Sequence, residues 1–438
     1  MALQADAAGT VPYRDISIET GAYRKVFWRI MPFLVLCYVI AYLDRVNVGF
    51  AKLEMGKALG LSEAAYGAGA GIFFIGYFLF EVPSNLMLHR MGARIWIARI
   101  MVTWGIVSAA SMFTSSELMF YGLRFLLGIA EAGFFPGIIL YMTYWFPSHR
   151  RAKIVTTFMA AIPVSAIFGN PLSGWIMDGL DQVNGWAGWQ WMFLIEAVPA
   201  FLIGIAVYFF LDDSIEGAKW LDADQKRILA ANIAAENSVK AHSPKNILAI
   251  LMSGKVWLMC LIYFCFTLGQ YGLNFWMPTL VKASGVSGNF HIGLVSAIPS
   301  VCTFIVMLTL GWTGDHFRER RWHLVVPALV GAAGLVAATL TSSTAIAIAA
   351  LSVGAAGIIT CSPLFWSLPT AFLAGAGAAA GIAWINSVGN LAGFLGPFLV
   401  GYLKDFTGSS AAGMYLVAGV VVIGSIAVLT VPAKMVNR

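Results

Sequence analysis

The chain has 438 residues, of which 59% are apolar and 11% charged, with a mean hydropathy of +0.80. Soluble domains carry about 25% charged residues, so this composition excludes an ordinary soluble fold and indicates a polytopic membrane protein. The net charge of +6 is distributed as membrane topology requires and gives no reason to expect a nucleic-acid partner.

The first 25 residues are polar and carry no apolar core, so no cleaved signal peptide is expected and the first apolar run serves as the insertion signal. A spanning helix needs about 20 mainly apolar residues. Twelve such runs follow, at 26–48, 64–88, 94–114, 117–141, 152–177, 190–211, 253–281, 291–312, 322–342, 345–372, 375–402 and 411–432. They are too long for transmembrane strands, which alternate over about ten residues. The expected fold is an all-α membrane protein with twelve transmembrane helices in two pseudo-symmetric six-helix bundles. The longest polar stretch sets the division: an N-terminal segment (1–25), a first bundle (26–211), a cytoplasmic linker (212–250) and a second bundle (251–438). Within the linker, Asp222 is placed to cap a short surface helix over DQKRILAANIAAEN. The five cysteines all lie in apolar runs without a CxxC spacing and read as buried thiols.

With the N-terminus in the cytoplasm, 21 of the 27 Lys and Arg fall on the cytoplasmic side. Four (Lys52, Lys57, Lys282 and Lys404) fall outside. The positive-inside rule therefore puts both termini in the cytoplasm. Two arginines remain inside apolar runs: Arg45 in AYLDRVNVGFA and Arg124 in YGLRFLLGIAEAGFFPG. Each has a carboxylate near it, Asp44 beside the first and Glu131 seven residues after the second. A charge at the bilayer centre costs at least about 2.5–3.5 kcal/mol, so four of them point to a site that holds an anion and moves a proton.

Arg124 and Glu131 return to one helix face after two turns, about 10 Å apart along the axis, with Gly128 between them to leave room. An arginine fork suits a carboxylate. Asp44 and Arg45 point about 100° apart; Arg45, sharing a face with Tyr38 and Tyr42, is read as facing the cavity and Asp44 as a second proton site. Further substrate-binding candidates are Tyr42, Tyr77, Gln270, Tyr271, Asn274, Asn390 and Trp366, with Asn386 and Trp384 beside them. Glu81 and Glu196 lie near helix ends and read as solvated or gating groups.

The halves look like repeats. GNPLSGWIMD (169–178) matches GPFLVGYLKD (396–405), and NLMLHRMGAR (85–94) matches GWTGDHFRER (311–320), at offsets of 227 and 226. The same offset pairs Asp44 with Gln270 and Arg45 with Tyr271, so the first half carries charge where the second carries neutral hydrogen-bonding groups. Parallel six-helix repeats with the substrate between them are a transporter architecture.

GWTGDHFRERR resembles the loop signature of the major facilitator superfamily. In the first-half copy Asn85 and His89 replace its Gly and Asp, while Arg90, Gly92 and Arg94 remain. That departure, with AYLDRVNVGFA, GYFLFEVPSNLML, YGLRFLLGIAEAGFFPG and WFPSHRRAK, resembles the anion:cation symporter family within the superfamily, over nearly the whole chain. The resemblance implies proton-coupled uptake of a small organic anion, a hydroxy or sugar acid, dicarboxylate or aromatic acid. It implies substrate binding at Arg124, proton coupling at Glu131, and a cytoplasmic gate over Arg90, Gly92, Arg94, Gly311, Asp315 and Arg318. It also points to a bacterial cytoplasmic membrane, and a chain that holds a complete pair of halves is expected to be a monomer. A proton-coupled drug antiporter and a transporter-like nutrient sensor are the rival readings. No HExxH, GxSxG or Walker A string is present, so neither catalysis, a cofactor nor a metal is expected.

Overall fold

The computed structural model describes residues 16–241, 251–372 and 376–437, and the secondary structure of these residues is helical. Twelve helical segments are long and apolar enough to cross a membrane. Spans 1 to 6 are Ile18–Ala58, Glu63–Leu88, Ala93–Phe113, Glu117–Trp145, Thr157–Gly179 and Gly188–Phe210. Spans 7 to 12 are Gly254–Ala283, Asn289–Gly314, Trp322–Thr339, Thr344–Ala371, Gly381–Thr407 and Ser410–Thr430. An even number of crossings puts the two ends of the described residues, Ile16 and Asn437, on one face, here the termini face. Leu118, Phe168, Phe209 and Ile305 are among many large apolar side chains pointing outward, as a lipid-facing surface requires.

One span differs from the continuous helices expected. Span 1 begins earlier and ends later than the apolar run 26–48, and it runs on through Asn47, which keeps right-handed helical angles and whose amide donates to the carbonyl of Leu43 at 3.0 Å. Span 4 breaks into Glu117–Glu131 and Phe134–Trp145. Gly133 makes that break at φ 85°, a left-handed conformation open to glycine. The break falls two residues after an intramembrane charge, Glu131. Broken helices at membrane depth expose backbone groups and accompany binding sites in transporters.

Two helix pairs make the most extensive contact between the first six spans and the last six, span 2 with span 11 and span 5 with span 8, and span 1 also meets span 7. Each crossing is close because glycines meet backbone there. A Cβ on Gly67 would lie 2.9 Å from the Cα of Phe398, and one on Gly293 3.0 Å from the Cα of Pro171. At the face opposite the termini, each pair ends in the same hydrogen-bonded cap. Asp405 accepts from the amides of Glu63 (3.1 Å) and Ala64 (2.7 Å) at the start of span 2. Asp178 accepts from those of Asn289 (3.2 Å) and Phe290 (2.7 Å) at the start of span 8. A carboxylate there satisfies orphan amides and meets the positive end of the helix dipole. Asp178 and Asp405 are the last residues of the two matched decapeptides, so the repeat read in sequence is repeated in the contacts.

Beyond span 6 the helix Ala223–Ala241 lies against the start of span 1. Asp222 accepts from the amide of Gln225 at 2.8 Å, and Asn232 donates to Tyr23 at 3.1 Å. The rest of the linker, 242–250, lies outside the described residues. Cys37, Cys260, Cys265 and Cys361 are buried free thiols and Cys302 is half-buried.

Candidate functional site

Arg45 and its neighbour Asp44 take opposite directions, as adjacent residues on a helix must. The Arg45 guanidinium forms an ion pair with Glu131 of span 4 and donates to the Tyr271 hydroxyl of span 7 at 3.2 Å. It also lies over the rings of Phe73 (5.3 Å) and Tyr77 (5.5 Å), within reach of cation–π attraction. Arg45 and Tyr271 are 226 residues apart, so the two pseudo-equivalent positions meet. Asp44 turns away into the bundle, where it accepts from the Trp104 indole N–H at 2.6 Å and the Ser108 hydroxyl at 3.2 Å. Both donors are neutral and belong to span 3.

Glu131 therefore does not pair with Arg124, seven residues before it in sequence. Glu131 pairs with Arg45, and the fully buried carboxylate keeps one oxygen, Oε2, without a partner among the described residues. Arg124 donates to the carbonyl of Ala70 at 3.3 Å and lies 5.2 Å over the Phe73 ring. The room expected beside Gly128 is filled by span 2: a Cβ there would meet the backbone of Phe73 and Tyr77. Gly128 is thus a packing position.

A cavity of about 530 Å³, counting its open part, lies between the two sets of six spans. Its first wall holds Tyr38, Tyr42, Arg45, Phe74, Tyr77 and Phe135. The opposite wall holds Tyr263, Thr267, Gln270 and Tyr271 from span 7, Ser362 from span 10, and Asn386 and Asn390 from span 11. Tyr42, Arg45, Tyr77, Gln270, Tyr271 and Asn390 were anticipated. Arg124, Asp44 and Glu131 stand behind the wall. Asn274 lines a neighbouring cavity and, with Gln270, donates to the Tyr42 hydroxyl, each at 2.9 Å. Trp366 stacks obliquely on Tyr263 with ring centres 4.9 Å apart, behind the surface. Trp384 packs edge-on against Trp257.

Tyr263 and Thr267 escaped the sequence reading, although the signal existed. Residues 263, 267, 270 and 274 follow the helical spacing of one face, a polar stripe in an apolar run. A solvated role for Glu81 and Glu196 is also corrected, since they are 4% and 1% exposed. Glu81 accepts from Asn386 (2.8 Å) and Ser387 (3.3 Å) of span 11. Glu196 accepts from Asn47 (3.0 Å) and Ser173 (2.6 Å).

At the termini face the loop residues make contacts within their own half. Gly92 has φ 87° and ends the helix of span 2. The Arg94 amide donates to Asp213, just after span 6, at 2.8 Å. In the matching place, the Arg320 amide donates to Asn437, just after span 12, at 3.0 Å. Arg90 and Arg318 are exposed, Arg318 with φ 50°, and a Cβ on Gly311 would meet open space. The Asp315 side chain lies outside the described residues.

The model of the Major Facilitator Superfamily matches residues 34–397. A putative metabolite transport protein, NicT, of Pseudomonas putida is 48% identical, with 99% of each chain covered. A putative tartrate transporter of Agrobacterium vitis is 49% identical over 94% of this chain and 95% of its own. A quinolone resistance transporter of Acinetobacter baumannii is 42% identical over 96% of this chain and 97% of its own. Among solved structures, a partially occluded, inward-open form of the xylose transporter XylE from Escherichia coli superposes with TM-score 0.76 at 17% identity, covering 93% and 98% of the two chains. With twelve spans, a cavity between two sets of six and these relatives, the chain belongs to the Major Facilitator Superfamily and is a membrane transporter, not an enzyme.

Proposed function

We propose that this transporter takes up a small organic anion together with protons by alternating access, as a monomer in a bacterial cytoplasmic membrane with both termini inside. One observation carries the reading: a guanidinium in the cavity wall, Arg45, is neutralised by a carboxylate behind it, Glu131, in a region where unpaired charge is costly. An incoming carboxylate competes for Arg45. Burial favours the neutral form of an acid and a nearby guanidinium favours the charged form. When the substrate takes the guanidinium, Glu131 loses its partner and accepts a proton. Anion and proton then reinforce each other's binding, which is symport by linkage.

Arg124 stands one layer behind and supplies a second positive charge to the same region. Asp44, held by neutral donors, is the second candidate proton carrier. Each elementary charge moved is worth about 2.3 kcal/mol per 100 mV, so a monoanion with one proton moves no net charge and with two is drawn inward. The matched caps hold the two halves together at the face opposite the termini. The loops at 90–94 and 311–320 serve the cytoplasmic side in the opposite state.

The name of the tartrate relative supports a carboxylate substrate. The quinolone resistance relative supports the rival reading, a proton-coupled drug exporter. Purified protein reconstituted in vesicles separates the two. An inward-acid gradient on the side opposite the termini should drive accumulation of tartrate or a related acid in wild type and not in Arg45→Gln. Export of a lipophilic cation, with no acid accumulated by wild type, would overturn the symport reading.

A further inference from the structure

The central cavity has a neighbour of about 430 Å³, again counting its open part, and Tyr42 is the one residue common to the two linings. The neighbour lies on the side away from the termini. Its lining residues on span 1, Val46 and Phe50, follow Tyr42 along a helix that runs to the face opposite the termini, about 6 and 12 Å further on. On span 7 the central cavity is lined by Tyr263, Thr267, Gln270 and Tyr271, and the outer one takes over at Asn274, Met277 and Pro278. None of the residues lining the outer cavity is charged. An anion crossing it meets its first cation, Arg45, only past Tyr42.

Tyr42 is held at this boundary by the other half. Gln270, on the central side, and Asn274, one turn further out, both donate to its hydroxyl at 2.9 Å, and the oxygen has a lone pair for each. Tyr42 itself is 2% exposed, and its ring centre lies 5.9 Å from the guanidinium carbon of Arg45. The clamp joins span 1 to span 7, one from each half, so rocking of the halves must strain or release it. We propose that Tyr42 is a door between the outer and the central cavity, kept shut by the Gln270 and Asn274 amides, and that its release admits solute to the central cavity from the face opposite the termini. Two barriers then stand in series on that side, the helix caps at Asp178 and Asp405 and, further in, this hydroxyl. The inference goes beyond the anion reading and does not rest on it.

The test reads access at two depths in the full-length protein reconstituted in vesicles. A cysteine replaces either Thr267, on the central side of Tyr42, or Ser300, on the outer side. A membrane-impermeant thiol reagent is supplied from the face opposite the termini, and the labelling of the native cysteines is subtracted with protein lacking the added one. Tyr42→Phe keeps the ring and removes the oxygen that both amides hold. It should raise the labelling rate of Thr267→Cys about tenfold, the scale of the hydrogen bonds lost, and leave that of Ser300→Cys within about twofold. Gln270→Ala and Asn274→Ala should each raise the rate at Thr267→Cys about threefold. Tyr42→Phe added to both of them should change nothing further, because the three residues act as a unit. An unchanged rate at Thr267→Cys in Tyr42→Phe overturns the door. Equal rises at the two cysteines also overturn it, since Tyr42 would then belong to the outer closure and not to a partition. An equal rise at Thr267→Cys with reagent supplied from the termini face would report loosened packing and overturn it as well. The reagent stands in for the solute, so the result is independent of which ion the transporter carries, and failure of the door leaves the anion reading standing.

Discussion

The two halves of this transporter are alike where they hold each other and unlike where they face the cavity. At the face opposite the termini, Asp178 caps span 8 and Asp405 caps span 2 with nearly the same distances. At cavity depth the first half contributes Asp44, Arg45, Arg124 and Glu131, and the second contributes Gln270, Tyr271 and Asn274. Arg45 and Tyr271 occupy equivalent positions and touch each other. Contacts that must be made and broken by two halves rocking together are shared equally. Charge that must be handled in apolar surroundings is confined to one half, where Arg45 keeps Glu131 as a fixed counter-ion.

Exchanging the functional group at the two equivalent positions should give the largest effect. Arg45→Gln leaves Glu131 buried without its cation, and breaking a buried ion pair costs about 3–5 kcal/mol. Carboxylate binding should fall by more than about 100-fold. Tyr271→Phe removes one hydroxyl hydrogen bond, worth about 1 kcal/mol, and should cost only a few-fold. Isothermal binding measurements on both variants decide; equal losses would break the comparison.

Within the first half, Glu131→Gln should abolish accumulation driven by a proton gradient while retaining exchange of internal for external substrate. Gradient-driven accumulation at the wild-type level would remove Glu131 as the coupling group. Arg124→Lys replaces a fork that holds the Ala70 carbonyl with a point charge. A loss of substrate affinity is expected, about tenfold and smaller than at Arg45, because Arg124 stands behind the wall. Near-normal affinity would take Arg124 out of the site.

The symmetric region predicts equality instead. Asp178→Ala and Asp405→Ala each remove a helix cap worth about 1 kcal/mol. A cysteine introduced in place of Tyr42 should then react about fivefold faster with a reagent supplied from the side opposite the termini. The two variants should agree within about twofold. A strong effect from one cap and none from the other would show that the pairs are copies in form and not in use.

Much of this was legible in the chain. The twelve apolar runs and the repeat at offsets of 226 and 227 follow from period and composition, which act locally. Asp44 and Arg45 point apart because they are adjacent on a helix, and the structure separates them that way. What was hidden depends on contacts between spans. Glu131 lies on the same helix as Arg124, but its partner comes from span 1, and no spacing within one helix encodes that. The break after Glu131 brings the carboxylate to a helix end; Gly133 and Pro136 were its only local marks. Glu81 looked solvated because it lies toward the end of its run, and burial at that depth comes from span 11 across the interface.

The smallest expected effect lies at the termini face, where the equivalent clamps are built from different charges. In the first half the Arg94 amide meets a carboxylate, Asp213. In the second the Arg320 amide meets a neutral amide, Asn437, whose own nitrogen donates to Glu319 at 2.9 Å. Partial burial works to raise the Glu319 carboxyl, but hydrogen bonds from Asn437, His323 and the amides of Trp322 and His323 together outweigh it and hold the group below the usual carboxylate range. A carboxyl lowered in the folded state contributes stability above its unfolded pKa of about 4.3 and loses that contribution as pH falls through its folded value. Wild type should therefore lose a little more stability than Glu319→Gln on acidification from about pH 5 to pH 3. Screening of a partly exposed group keeps the difference below about 1 kcal/mol, about 1–2 °C in thermal midpoint. Equal acid sensitivity of the two proteins would mean that Asn437 holds the loop without help from the charge, and the second clamp would then differ from the first in chemistry as well as in sequence.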